Sequence, residues 1–174
     1  MDALITNQYD ASCAALNLSL CHQLLNLSEA QILKQTHFFS GRYENIYVDS
    51  KQFQELEHIL FKAKEYAAEI LAIPDDKLKI GCWINIMHQG HTTSLHRHDD
   101  DDELLSGVYY LKVPEQSGHF VFHHVGEQQI IEPLEGHFLF FSPTLNHEVT
   151  ENESIEARVS IGFNIGRLNT EETN

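Results

Sequence analysis

Positive charge is scarce in this chain of 174 residues: 11 Lys and Arg stand against 26 Asp and Glu, a formal charge of −15 with histidine neutral. Nucleic acid is held by Lys and Arg that neutralise its phosphates, so the balance argues against it as a direct partner, and against an anionic membrane surface. A cationic or neutral substrate remains compatible with that charge. Cysteine is also sparse. Cys13, Cys21 and Cys82 form no Cys-x-x-Cys pair, and their wide spacing and odd number argue against a disulfide framework or a zinc knuckle, so a reducing compartment is expected. Long apolar runs are absent: nothing approaches the ~18 consecutive residues of a membrane span. The start, Met-Asp-Ala, shows no basic leader, and the expectation is a cytoplasmic protein. At this length one domain over 1–174 suffices to bury a core.

What is present is organised in two parts. Residues 1–77 read as mostly helical support, with helices over 16–25 and 28–34 and a strand over 45–48. Between 50 and 72, Phe53, Leu56, Ile59, Leu60, Ala63, Ala67, Ile70 and Leu71 recur at three- and four-residue intervals, with Asp49 or Ser50 as cap and Pro74 beyond the end. That amphipathic helix needs a sheet to lie on. After Asp76 the chain turns to short segments rich in β-branched and aromatic residues. Strands are expected over 78–88, 105–113, 119–124, 128–131, 137–141 and 157–165, with a core over 78–166 and a frayed tail over 167–174. Evenly spaced strands without crossover helices point to a mainly β sandwich or barrel with flanking helices.

Histidine is abundant, 12 in all, and most are scattered. His96-Arg97-His98-Asp99-Asp100 is different. Residues two apart on a strand face one side, so His96 and His98, or His98 and Asp100, can converge on one metal, with His147 brought in from a later turn. Two His and a carboxylate on one face of a metal, with the other face open, is the facial arrangement of a non-haem iron centre. Both readings are open: His96, His98 and His147, or His98, Asp100 and His147. The acidic run 99–103 also reads as a solvated loop.

From Trp83 to Asn164 the chain resembles the iron(II)/2-oxoglutarate-dependent oxygenases, within the small prolyl hydroxylase-like bacterial and phage group. The resemblance rests on Trp83-Ile84-Asn85, Gly90, His96-Arg97-His98, the stretch from Leu105 to Leu111, Ser117-Gly118, Pro133, Gly136, Phe141-Ser142-Pro143, His147 and the stretch from Arg158 to Asn164, in that order and spacing. It implies a double-stranded β-helix, or jelly roll, with iron(II), 2-oxoglutarate as co-substrate and dioxygen. It further implies that Arg158, Ser160 and Tyr110 hold the far carboxylate of 2-oxoglutarate, an Arg fork suiting a carboxylate through two hydrogen bonds. Asn85 would line the same pocket. The implied activity is hydroxylation of an amino-acid, peptide or other small-molecule C–H bond with release of succinate and CO2. A homodimer is compatible with the sequence but nothing in it argues for one.

Two other readings stand beside this one. A cupin would use His96, His98, Glu103 and His147 and would not need Arg158, but Pro133 and Gly136 lie too far ahead of His147 for the cupin spacing. A non-catalytic β-barrel would use the histidines as a ligand or pH sensor. Substrate selection is expected on the loops at 41–47, 88–95 and 99–104.

Overall fold

The computed structural model describes residues 5–98 and 102–168. Strand β1 (Ile5–Tyr9) leads into helices α1 (Ala11–Ala14) and α2 (Asn17–Leu25), then the hairpin β2 (Ile32–Phe39) and β3 (Arg42–Val48), then α3 (Gln54–Leu71). Eight strands follow: β4 (Leu78–Met87), β5 (Thr93–His96), β6 (Glu103–Lys112), β7 (Phe120–His124), β8 (Glu127–Ile131), β9 (His137–Phe141), β10 (Asn146–Val149) and β11 (Arg158–Arg167). They form a seven-stranded sheet, β1-β9-β6-β11-β4-β3-β2, and a four-stranded sheet, β5-β10-β7-β8, antiparallel throughout. The chain from β4 to β11 passes back and forth between the two sheets, which is the expected jelly roll.

Both faces of the larger sheet are buried, which is why its central strands read as nearly unbroken apolar runs. Side chains alternate across the pleat. On the outer face Leu105, Tyr109, Leu111, Phe138, Phe140, Ile161 and Phe163 join Leu56, Ile59, Leu60, Ala63 and Ala67 of α3. On the inner face Val108, Tyr110, Leu139 and Phe141 meet Phe120, Phe122 and Val149 of the smaller sheet. The apolar stripe of α3 thus finds the sheet its periodicity demands. Its first expected turn is separate: Asp49 caps a short 3-10 turn over Ser50–Gln52 before α3 begins.

The support is less helical than its composition suggests. The helix expected over 28–34 is one turn, where Ser28 and Gln31 close a capping box, and from Ile32 the chain is extended because it pairs along β3. β1 likewise adds to the larger sheet beside β9. Both pairings are non-local, and local pattern carries no trace of them. The tail beyond 168 lies outside the described residues.

One buried group ties the support to the sheet. Asp10, at the end of β1, accepts hydrogen bonds from the Cys13 amide (2.9 Å), the Ser12 hydroxyl (2.6 Å) and the Tyr66 hydroxyl of α3 (2.6 Å). Burial opposes its charge, but these bonds outweigh burial and hold the carboxyl well below the usual range. Replacing Asp10 with Ala should therefore cost about 2–3 kcal/mol, the loss of a helix cap plus a charge-assisted bond. Urea unfolding measures this, and an unchanged midpoint would refute the role.

Candidate metal centre

The two short strands least visible in the sequence, β5 and β10, pair so that His96 lies opposite His147. His98 follows two residues after His96, its amide held by the Pro143 carbonyl at 2.9 Å. The ligand atoms of the three imidazoles lie within 4.8 Å of one another, and their ring centroids are 4.3 to 5.1 Å apart. Nδ1 of His96 is 2.6 Å from the Ser94 carbonyl, and Nδ1 of His147 is 2.8 Å from that of Leu145. A carbonyl accepts only, so Nδ1 carries the proton on each ring and Nε2 keeps its lone pair.

Apolar walls favour the uncharged form of His98 and His147. His147 is stacked on Phe120 at 5.1 Å with Phe141 at its edge, and His98 packs on Trp83. Burial, followed by the neighbouring imidazoles, brings both His98 and His147 down to about 3. A neutral imidazole is the form in which histidine binds a metal, and burial favours that form at His98 and His147. Trp83 itself rests on Gly162, where a Cβ would collide with the indole, so glycine is required for this close approach.

Arg158 closes the other end of the slot lined by these histidines. It is 1% exposed, and its Nη1 donates to the carbonyls of Gly118 (2.7 Å) and Ser117 (3.3 Å). Among the described residues it forms no ion pair with a carboxylate. Arg158 Nε, the Tyr110 hydroxyl and Ser117 Oγ are all buried without a hydrogen-bond partner. Burial raises the Tyr110 hydroxyl to about 12, against the pull of the guanidinium 5.3 Å from its ring, so the phenol stays a donor. Buried polar groups normally have partners. A cation with an unmatched Nε at one end and three imidazoles at the other fit a divalent metal and an anion whose far end is a carboxylate; Tyr110 and Ser117 do not line the slot as it stands. The slot is narrow, about 50 Å³, so a five-carbon diacid enters only as side chains shift.

The residues singled out in the sequence are distributed as follows. His96, His98 and His147 come together, while Asp100 lies outside the described residues. Tyr110, Ser160 and Asn85 stand in one row across β6, β11 and β4. Ser160 lines the slot; Asn85 lines it too, but its amide is already engaged, accepting from Arg42 and donating to Thr93, each at 3.3 Å. Glu103, the fourth ligand of the cupin reading, is not part of the histidine cluster and instead accepts from Asn164 at 3.4 Å. Ser117 was visible only as part of a Ser-Gly turn, with nothing to mark its buried hydroxyl. Arg42 and Glu44 sit in the segment with no motif.

Residues 82–166 match the sequence model of the 2OG-Fe(II) oxygenase superfamily. No curated protein matches the chain. Among solved structures, a Pseudomonas putida prolyl-4-hydroxylase superposes with a TM-score of 0.69 at 17% identity, over 97% of this chain and 90% of that one. A Trichoplax adhaerens prolyl hydroxylase, bound to a hypoxia inducible factor oxygen degradation domain peptide, gives 0.65 at 16% identity over 94% and 83%. The epimerase SnoN in complex with Fe3+, alpha ketoglutarate and nogalamycin RO gives 0.70 at 14% identity over 93% and 78%. At these identities the structural likeness speaks for the fold.

The buried imidazoles set a pH dependence for the metal-free protein. Unfolded histidine titrates near 6.5, whereas His98 and His147 take a proton only near pH 3 when folded. The unfolded chain therefore binds protons first, and stability is lost as pH falls from about 6.5 toward 3, at most about 1.4 kcal/mol per pH unit for each ring. Urea melts of the metal-free protein between pH 7 and 5 should show that loss, with a shallower slope in His147→Leu. Equal slopes would exclude the buried imidazole as its source.

Proposed function

This chain belongs to the 2OG-Fe(II) oxygenase superfamily, and from that premise we propose that it hydroxylates a C–H bond of an amino acid, peptide or other small molecule. The observation that carries the reading is the two-ended slot: three clustered imidazoles at one end and, at the other, a buried guanidinium that pairs with no carboxylate among the described residues. A cupin metal site has no need of the second end.

The metal is assigned to His96, His98 and His147. This set favours the three-histidine alternative, in which an imidazole occupies the place of the usual carboxylate. Arg158, Tyr110, Ser160 and the newly recognised Ser117 would grip the far carboxylate of 2-oxoglutarate. Asn85 shapes the wall through its bonds to Arg42 and Thr93. When bound, iron(II), 2-oxoglutarate and dioxygen supply oxidation of an unactivated C–H bond coupled to release of succinate and CO2.

The protein's share is orientation and exclusion of water. Phe120, Phe122 and Phe141 surround His147 and keep that side of the slot dry. Trp83, against His98, also lines a second cavity of about 420 Å³, with Tyr47, Glu103 and Asn164 on its walls. That volume suits a small substrate, and its position beside His98 makes it the approach we assign to the C–H bond. Among the described residues no helix is long and apolar enough to cross a membrane. The three free cysteines support the cytoplasmic site of action that we propose.

Anaerobic titration of 2-oxoglutarate into the metal-loaded protein tests the slot, with succinate formation under oxygen as the activity readout. Arg158→Met should weaken 2-oxoglutarate by about thirtyfold or more, the usual loss when one partner of a buried charged hydrogen-bonded pair is removed. Thermal stability without co-substrate should hold or rise, because a buried charge has been deleted. Absence of binding by the parent, or equal binding by the variant, would overturn the oxygenase reading.

A further inference from the structure

β5 carries the first histidine of the cluster yet is the weakest strand of its sheet. It is four residues long, lies at the sheet edge, and among the described residues pairs only with β10, through His147 opposite His96 and Val149 opposite Thr93 with an irregularity between. Two pairings hold an unsupported edge loosely. A metal ligand needs its ring held within about half an ångström.

The missing support comes from β3, which lies outside the matched residues 82–166. Glu44 is 3% exposed, and its carboxylate accepts from the Ser94 amide at 2.7 Å and from the Ser94 hydroxyl at 2.8 Å. Arg42, two residues before it, is also buried and donates to the Thr92 carbonyl (2.8 Å), the Thr93 hydroxyl (3.3 Å) and Asn85 (3.3 Å). Opposite charges on one strand thus grip three successive residues of the next segment, the anion taking donors and the cation taking acceptors. Ser94 is where the grip meets the metal site, since its carbonyl is the acceptor for His96 Nδ1 at 2.6 Å.

We infer that Glu44, with Arg42 beside it, is a positioning residue for the metal centre, fixing the Ser94 peptide and through it the tautomer and orientation of His96. Groups that orient a ligating histidine typically alter metal affinity 10- to 100-fold when changed. The inference rests on His96 being a ligand.

Two small substitutions separate geometry from charge, and both leave a polar group facing Ser94. Glu44→Gln loses the charge but keeps the reach: its oxygen can accept from the Ser94 amide while its nitrogen donates to the hydroxyl. Glu44→Asp keeps the charge but falls one methylene short. Calorimetric titration of Co(II) into the metal-free proteins, with thermal melts of the same samples, gives a readout independent of turnover. Positioning predicts a Co(II) dissociation constant within about threefold of the parent for Gln and about tenfold or more above it for Asp. Affinity unchanged in both variants, or lost more in Gln than in Asp, overturns the inference. A His147→Ala control keeps the two readings apart. If the parent binds no Co(II), or that control binds it equally, the metal centre itself is refuted and the clamp falls with it; if only the Glu44 series is flat, the clamp alone fails.

Discussion

A buried guanidinium that, among the described residues, forms no ion pair with a carboxylate is the constraint around which this molecule is arranged. Burying a charge is expensive, and Arg158 recovers part of the cost from the Ser117 and Gly118 carbonyls and from the Tyr110 ring beside it. Gly118 meets that demand with a positive φ of 87°, and its missing Cβ leaves room for the Thr150 carbonyl packed against it. The remaining donors, Arg158 Nε and the hydroxyls of Tyr110 and Ser117, stay unmatched. Stability by itself would have replaced such a group with something apolar; the carboxylate-binding role proposed for Arg158 would account for its presence.

The same sheet resolves two incompatible demands. Its outer face packs on α3 and α2 as an ordinary core, while its inner face bears Arg158, Ser160 and Asn85 in a row of alternate positions. Period-two alternation makes this possible: one strand, β11, offers Val159, Ile161, Phe163 and Ile165 to the core and Arg158, Ser160 and Asn164 to the opposite side. A one-residue slip would exchange the two sets. Register along β11 therefore fixes stability and binding chemistry at once.

The legibility of the chain follows the range of the interactions that build it. α3 was readable because its stripe is local, and β4, β6, β9 and β11 because apolar runs bounded by turns survive without knowledge of partners. β5 and β10 were not, since four residues leave too little pattern and their pairing spans about fifty residues. The histidines they carry could still be grouped, as His-x-His spacing and a third distant imidazole are chemical signals rather than conformational ones. Whether His98 is partnered by His96 or by Asp100 is a question of register, and the pairing of His96 with His147 bears on it directly. Residues 28–34 misled because Ser28 and Gln31 are a true helix start that is overridden after one turn by pairing with β3.

The N-terminal segment is consequently more than an outer buttress. Arg42 and Glu44 have no motif because their function depends on β5, which is distant in sequence and itself weakly patterned. Asp10 and Tyr66 lock β1 to α3, α3 covers the sheet, and β3 continues that sheet past β4 to reach β5. Each link is a buried polar contact or an apolar face, and the last ends on the carbonyl that orients His96. The jelly roll carries the imidazoles and the guanidinium, but the edge on which the first imidazole stands is completed from residues the common family pattern does not contain. Variation in that segment would then tune the metal centre without touching any of its ligands.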